Sequence, residues 1–238
     1  MMVSEIEQHR NPAKIFQNAW STYQKVLENN YMFHREIYRG VQGFIEQRYQ
    51  RHPIKVLELG CGDASQTVVA LSHCRVSLYQ GCDLSEVALQ HADQHLAALD
   101  CEVRLVCAHM LDSLAQGPGE FDVVFSSFVL HHLNLDEKKR FFSLSRDTLN
   151  DDGVLLLIDV MREEDEDRPT YLRAYLDHAA KHWQALNKEE LLAVRSHIED
   201  NDFPETASTY AAIAQETGFS RGHQLNQYTW HRTWYFHR

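Results

Sequence analysis

Between Ile54 and Asp159 the sequence repeats one pattern: a short apolar run, then a longer amphipathic stretch. The runs are Ile54 to Leu59 and the segments 76–82, 103–107, 121–126 and 154–159, and helical spacing lies between them near 65–73, 85–98 and 136–149. Nearly continuous apolar runs belong to strands buried on both faces, so the alternation predicts a mostly parallel sheet with helices on each side, an α/β doubly wound fold. Helical spacing also marks residues 12–50, with Phe16, Ala19, Trp20, Tyr23, Val26 and Leu27, then Met32, Ile37, Val41, Phe44 and Ile45, broken at Asn29-Asn30. Pro169 to Ile198 reads as one or two further helices, and Thr206 to Thr217 as a last helix stopped by Gly218. The aromatic tail reads as an antiparallel pair with a polar turn near Asn226. The expected layout is an N-terminal helical cap segment over 1–52, an α/β core over 53–160, a helical cap insertion over 161–204, and a helix with two strands over 205–238 that completes the sheet.

Composition narrows the function. At 238 residues the chain is long enough for a substantial core, and no apolar stretch approaches the roughly 18–20 residues of a membrane span. The N-terminus has no apolar signal core, which predicts a cytoplasmic protein. A net charge of −11 repels polyanions and argues against nucleic acid. The acidic run Glu163 to Asp167 reads as a solvated loop. Five cysteines form no C-x-x-C pair and predict free thiols. Fifteen histidines are scattered, and no H-x-x-x-H or H-E-x-x-H spacing combines with a carboxylate into a recognisable ligand set, so no metal is expected.

In an open parallel sheet ligands bind beyond the carboxyl ends of the strands. The first run ends in Glu58-Leu59-Gly60-Cys61-Gly62-Asp63, where glycines let a backbone approach a bound molecule. Ser65 stands where a dinucleotide fingerprint wants its third glycine. Asp83 follows 21 residues after Gly62, where a carboxylate can accept hydrogen bonds from ribose hydroxyls, while Ser85 is placed to cap the next helix. At this point an NAD enzyme and another nucleoside-cofactor enzyme both remain open.

The fourth run continues as FDVVFSSFVLHHL from Phe121 to Leu133. Together with VLELGCG at Val56 to Gly62 and the G-x-D-x-S of Gly81 to Ser85, it resembles the class I S-adenosylmethionine-dependent methyltransferases over about residues 54–160. The resemblance implies a Rossmann-like, seven-stranded, mostly parallel sheet with an α-helical cap, and S-adenosylmethionine as cofactor. It implies that Glu58, Gly60, Cys61 and Gly62 lie along the methionine and ribose, that Asp83 holds the ribose hydroxyls, that Leu84 packs beside the adenine, and that the Ser126 backbone receives the ammonium. The family's usual acid after strand three is replaced by His109, followed by Met110. Leu149 to Gly153 stands at the family's Lys-Pro-Gly-Gly turn with one glycine fewer.

Methyl transfer is an in-line displacement that needs positioning, and sometimes a base. His131 and Asp159 are the catalytic candidates, with Tyr31 and His34 expected on the cofactor carboxylate. A covered cleft and an acidic chain predict a small-molecule acceptor and a monomer or homodimer without nucleic-acid or membrane partners. A same-fold enzyme that spends S-adenosylmethionine otherwise, an NAD-dependent oxidoreductase, and a scaffold on a degenerate version of the fold are the alternatives.

Overall fold

The computed structural model describes residues 20–116 and 120–238. Phe16 and Ala19 of the expected first helix lie outside them, as does most of the segment before it. The elements are helices α1 (Trp20–Glu28) and α2 (His34–Arg48), then β1 (Ile54–Leu59), α3 (Ser65–Leu71), β2 (Val76–Asp83), α4 (Glu86–Leu96), β3 (Glu102–Cys107), α5 (Met110–Leu114) and β4 (Phe121–Ser127). A 3-10 turn (Leu130–His132) leads into α6 (Leu135–Thr148), β5 (Leu149–Val160), α7 (Arg168–His182), α8 (Lys188–Asn201), α9 (Ala207–Glu216), β6 (Arg221–Tyr228) and β7 (His231–His237).

Seven strands form one sheet in the order β3-β2-β1-β4-β5-β7-β6. β1 to β5 pair in parallel, and β7 enters antiparallel between β5 and β6. Alternate residues of each central strand feed opposite faces. Val56, Phe125 and Leu156 pack with Ile37, Val41 and Ile45 of α2 and with α3 and α4. Leu57, Val124 and Leu155 pack with Phe141 and Phe142 of α6 and with α5 and α9. The strands are apolar throughout because each has a helical layer on either side.

The expected doubly wound, seven-stranded α/β fold with a helical cap is the observed one. Val26 of α1, Val160 at the end of β5, and Tyr171, Tyr175, Trp183 and Ile198 of the α7–α8 segment form a third cluster. The cap therefore stands on the carboxyl end of β5. It is held to α1 by Lys25 and Glu190 at 2.6 Å, and by the Ala185 N–H donating to the Tyr31 hydroxyl at 2.7 Å. α2, by contrast, lies against the sheet.

Two local readings need correction. The tail hairpin turns at Thr229-Trp230, where Thr229 has φ 52°, and Asn226 lies inside β6 at a register shift with its amide against Gly40 of α2. A bulge that carries a side chain to a neighbouring helix has the same polar signature as a turn. The fifth strand begins at Leu149, which pairs with Phe121 before the register jumps to Val123 and Val154, so the turn-like Asn150 to Gly153 is an excursion within the strand.

Candidate active site

The loop after β1 and the end of β2 meet at the centre of the sheet. The Gly60 and Cys61 N–H groups both donate to the Cys82 carbonyl at 2.9 Å, and the Gly62 N–H donates to the Asp83 carboxylate at 2.9 Å. Gly60 and Gly62 have φ +71° and +53°, the left-handed region that suits glycine. Their surroundings differ. A Cβ on Gly60 would lie 2.7 Å from Val129 of the loop after β4, whereas one on Gly62 would meet nothing within 4 Å. Gly60 is thus required by packing, and Gly62 faces open space.

Asp83 is half-buried, and its other oxygen accepts from the Ser85 N–H at 2.8 Å. Ser85 caps α4 by accepting from the Ala88 N–H, as the sequence suggested. Burial raises the Asp83 pKa, and the three backbone donors of Ser85, Gly62 and Leu84 work against that rise. Leu84 is exposed beside it. His109 accepts the Leu111 N–H through Nδ1 at 3.3 Å and so caps α5, with Met110 half-buried next to it.

Glu58 is buried beneath the loop. It accepts hydrogen bonds from Tyr79 at 2.5 Å and Thr67 at 2.8 Å, and burial pushes its pKa up to about 8. The carboxylate pins the start of α3 to β2, and sequence reasoning gave no sign of either hydroxyl partner. Tyr23 lies on α1, one of the N-terminal helices placed to close over the crevice. The pKa of its phenol is raised by burial and then by the charges of Asp63, Asp83 and Glu58.

At the end of β4, Ser126 is fully buried and its hydroxyl has no hydrogen-bond partner. Ser127 accepts from Tyr38 of α2 at 2.7 Å. His34 is 2% exposed with both ring nitrogens unpartnered, and burial lowers its pKa to about 4. Tyr31 has a different occupation: its hydroxyl accepts from Ala185, and its ring stacks on Trp183 at 5.4 Å.

The two catalytic candidates are brought together. His131 Nδ1 lies 2.5 Å from Asp159 Oδ1 across the ends of β4 and β5, and Asp202, far along the chain after α8, comes within 3.7 Å of the other ring nitrogen. Burial works against the charged imidazole, yet the two carboxylates win and the His131 pKa rises. The ring is enclosed between two acids rather than presented to an open cleft.

The crevice suits S-adenosylmethionine on its own chemistry. A cluster of carboxylates favours a sulfonium and an ammonium, the space before Gly62 admits close approach, and buried polar atoms of Ser126 and His34 lack partners. The comparisons agree. Residues 56–153 match the family model described as a methyltransferase domain. An uncharacterized methyltransferase of Staphylococcus carnosus (strain TM300) is 21% identical over 162 residues, covering 68% of this chain and 74% of the relative. A putative O-methyltransferase from Nostoc punctiforme PCC 73102 superposes with a TM-score of 0.61 at 13% identity over 85% of this chain, and this chain spans only 56% of that one. Magnesium protoporphyrin IX methyltransferase from Synechocystis PCC 6803 with bound SAH gives 0.59 at 18% identity, covering 86% of this chain and 83% of that one. At such identities the structural likeness is one of fold, and the domain match is confined to residues 56–153. No helix among the described residues is long and apolar enough to cross a membrane. Residues 56–153 thus match a methyltransferase domain, and this is the stretch that carries the Gly60–Gly62 loop and Asp83.

Proposed function

We propose that this protein transfers the methyl group of S-adenosylmethionine to a small-molecule acceptor beneath the helical cap. The observation that carries the reading is the bond between Asp83 and the Gly62 N–H, which makes one rigid edge from two strand ends just where the backbone is unobstructed. When bound, the cofactor supplies a methyl carbon already activated by its sulfonium.

The residues of the chain then have to hold and shield. Asp83 retains acceptor capacity beyond its backbone donors for a pair of ribose hydroxyls. Leu84 offers an exposed apolar side chain to the adenine, and Cys61 and Met110 border the same crevice in this reading. His109, its Nδ1 spent on the cap, has Nε2–H to donate, where the family's acid would accept. Neutral His34 is a donor for the cofactor carboxylate, whereas Tyr31 fastens the cap. α1, α7 and α8 exclude water, which strengthens these contacts.

A capped crevice on a chain of net charge −11 favours a small acceptor over a polyanion. Calorimetry should show S-adenosylmethionine binding at one site and NAD not at all. Incubation with methyl-labelled cofactor and a metabolite extract should label a small product. Label found only in protein would refute the acceptor class, and binding of NAD alone would refute the reading altogether.

A further inference from the structure

Beyond the cofactor crevice, His131, His132 and Asp202 gather three possible metal-ligating atoms within 4.8 Å of one another. Asp202 Oδ1 lies 3.7 Å from His131 Nε2 and 3.5 Å from His132 Nδ1. That oxygen is buried with no hydrogen-bond partner, on a residue only 4% exposed. A four-coordinate zinc with bonds of about 2.0–2.1 Å separates its ligands by roughly 3.3–3.4 Å, so the two separations from Asp202 need to close by only a few tenths of an ångström, while the two imidazoles, within 4.8 Å of each other, turn toward the ion.

The tautomer points the same way. Asp159 takes the Nδ1 proton of His131, which turns the lone pair of a neutral ring toward the Asp202 oxygen. A proton placed on Nε2 meets Asp202 only as an ion pair, because 3.7 Å is too long for a hydrogen bond. A cation between them completes the site. A carboxylate behind a ligating histidine is the usual outer support of such a ligand. His132 Nδ1 lies 3.2 Å from the Asn201 carbonyl, to which its N–H can donate, and metal binding exchanges that hydrogen bond for the ion while the proton moves to Nε2. Two carboxylates with two neutral imidazoles carry the charge that a dication cancels. Lys138, the nearby amine, is committed to the carbonyls of Leu133 and Phe203.

We propose that His131, His132 and Asp202 bind a divalent transition-metal ion of the zinc class, which ties the turn after β4 to the end of α8. His131 and Asp202 are buried and His132 is partly exposed, and the ion fastens cap to core. Two imidazoles with one carboxylate select this class over magnesium or calcium.

The test titrates chelator-treated protein with zinc chloride in a His178→Ala background. That substitution removes the His178–His182 pair, whose rings lie 4.5 Å apart and would take zinc independently. One equivalent should bind with a dissociation constant of about 1 µM or lower and raise the thermal midpoint. Asp202→Asn should weaken binding at least 100-fold, and Asp159→Asn about 10- to 100-fold. Should Asp202→Asn fail to fold, side-chain nitrogen NMR of the His178→Ala protein decides, with His131 Nε2 and His132 Nδ1 shifting on saturation. Absence of stoichiometric binding, unchanged affinity in folded Asp202→Asn, or shifts confined to other histidines would each overturn the proposal.

Discussion

The Asp83 carboxylate accepts the Gly62 N–H at 2.9 Å, and this one hydrogen bond joins the end of β2 to the loop after β1. The same carboxylate is therefore both a brace for the loop and the proposed ribose ligand. Asp83→Asn keeps the shape and removes the charge. Hydrogen bonds to a charged group are worth about 1.5–3 kcal/mol, so affinity for S-adenosylhomocysteine should fall roughly 10- to 100-fold in calorimetry. An unchanged affinity would mean that Asp83 is only a brace.

The two loop glycines should fail differently. Gly60→Ala forces a Cβ to 2.7 Å from Val129 at a positive φ, and should cost about 1–3 kcal/mol in denaturant unfolding. Val129→Ala in the same chain should return part of that loss. Gly62→Ala meets no atom, so its stability cost should be about 1 kcal/mol, from φ alone, while its loss of cofactor affinity should exceed that of Gly60→Ala. Equal effects on binding would contradict the open approach at Gly62.

Much of this site was legible in the sequence because parallel strands are continuous apolar runs whose ends are where ligands bind. Glu58, Gly60, Gly62, Asp83 and Ser126 could be located by counting from the runs. What could not be read was which atoms already have partners. Nothing near Glu58 in sequence announces that Tyr79 will donate to it, and the cap geometry of His109 depends on a local backbone angle. Asp202 is invisible beside His131 because only the folding of α7 and α8 over β5 brings it there. The hairpin turn was misplaced because a bulge and a turn share polar residues.

His34 should trade stability for function. Its pKa is lowered to about 4 by burial, against an ordinary 6.5, so the unfolded chain binds the extra proton first. Its contribution is intact above about pH 6.5 and is lost as pH falls toward 4, at up to about 1.4 kcal/mol per pH unit. His34→Phe should flatten the acid limb of the stability profile without abolishing it, since His231 is likewise lowered, to about 3. Affinity for S-adenosylhomocysteine should fall about tenfold, the loss of one hydrogen bond in a buried site. An unaltered acid limb would show that His34 is charged in the folded protein.

Glu58 sets the opposite limb. Its pKa rises to about 8 from 4.5, so the folded state retains a proton that the unfolded chain releases. The associated stability is complete below about pH 4.5 and is lost as pH rises through 8. Glu58→Gln stays neutral and should flatten the decline between about pH 5 and 8 in thermal or denaturant unfolding. A decline of the same slope in the variant would place its origin elsewhere.

The most direct measurement is a crystal structure grown with saturating S-adenosylhomocysteine. The account predicts the ribose hydroxyls within hydrogen-bonding distance of the Asp83 carboxylate and the ligand's sulfur end running past Gly62. A ligand bound elsewhere, or a crevice left empty under saturation, would contradict it.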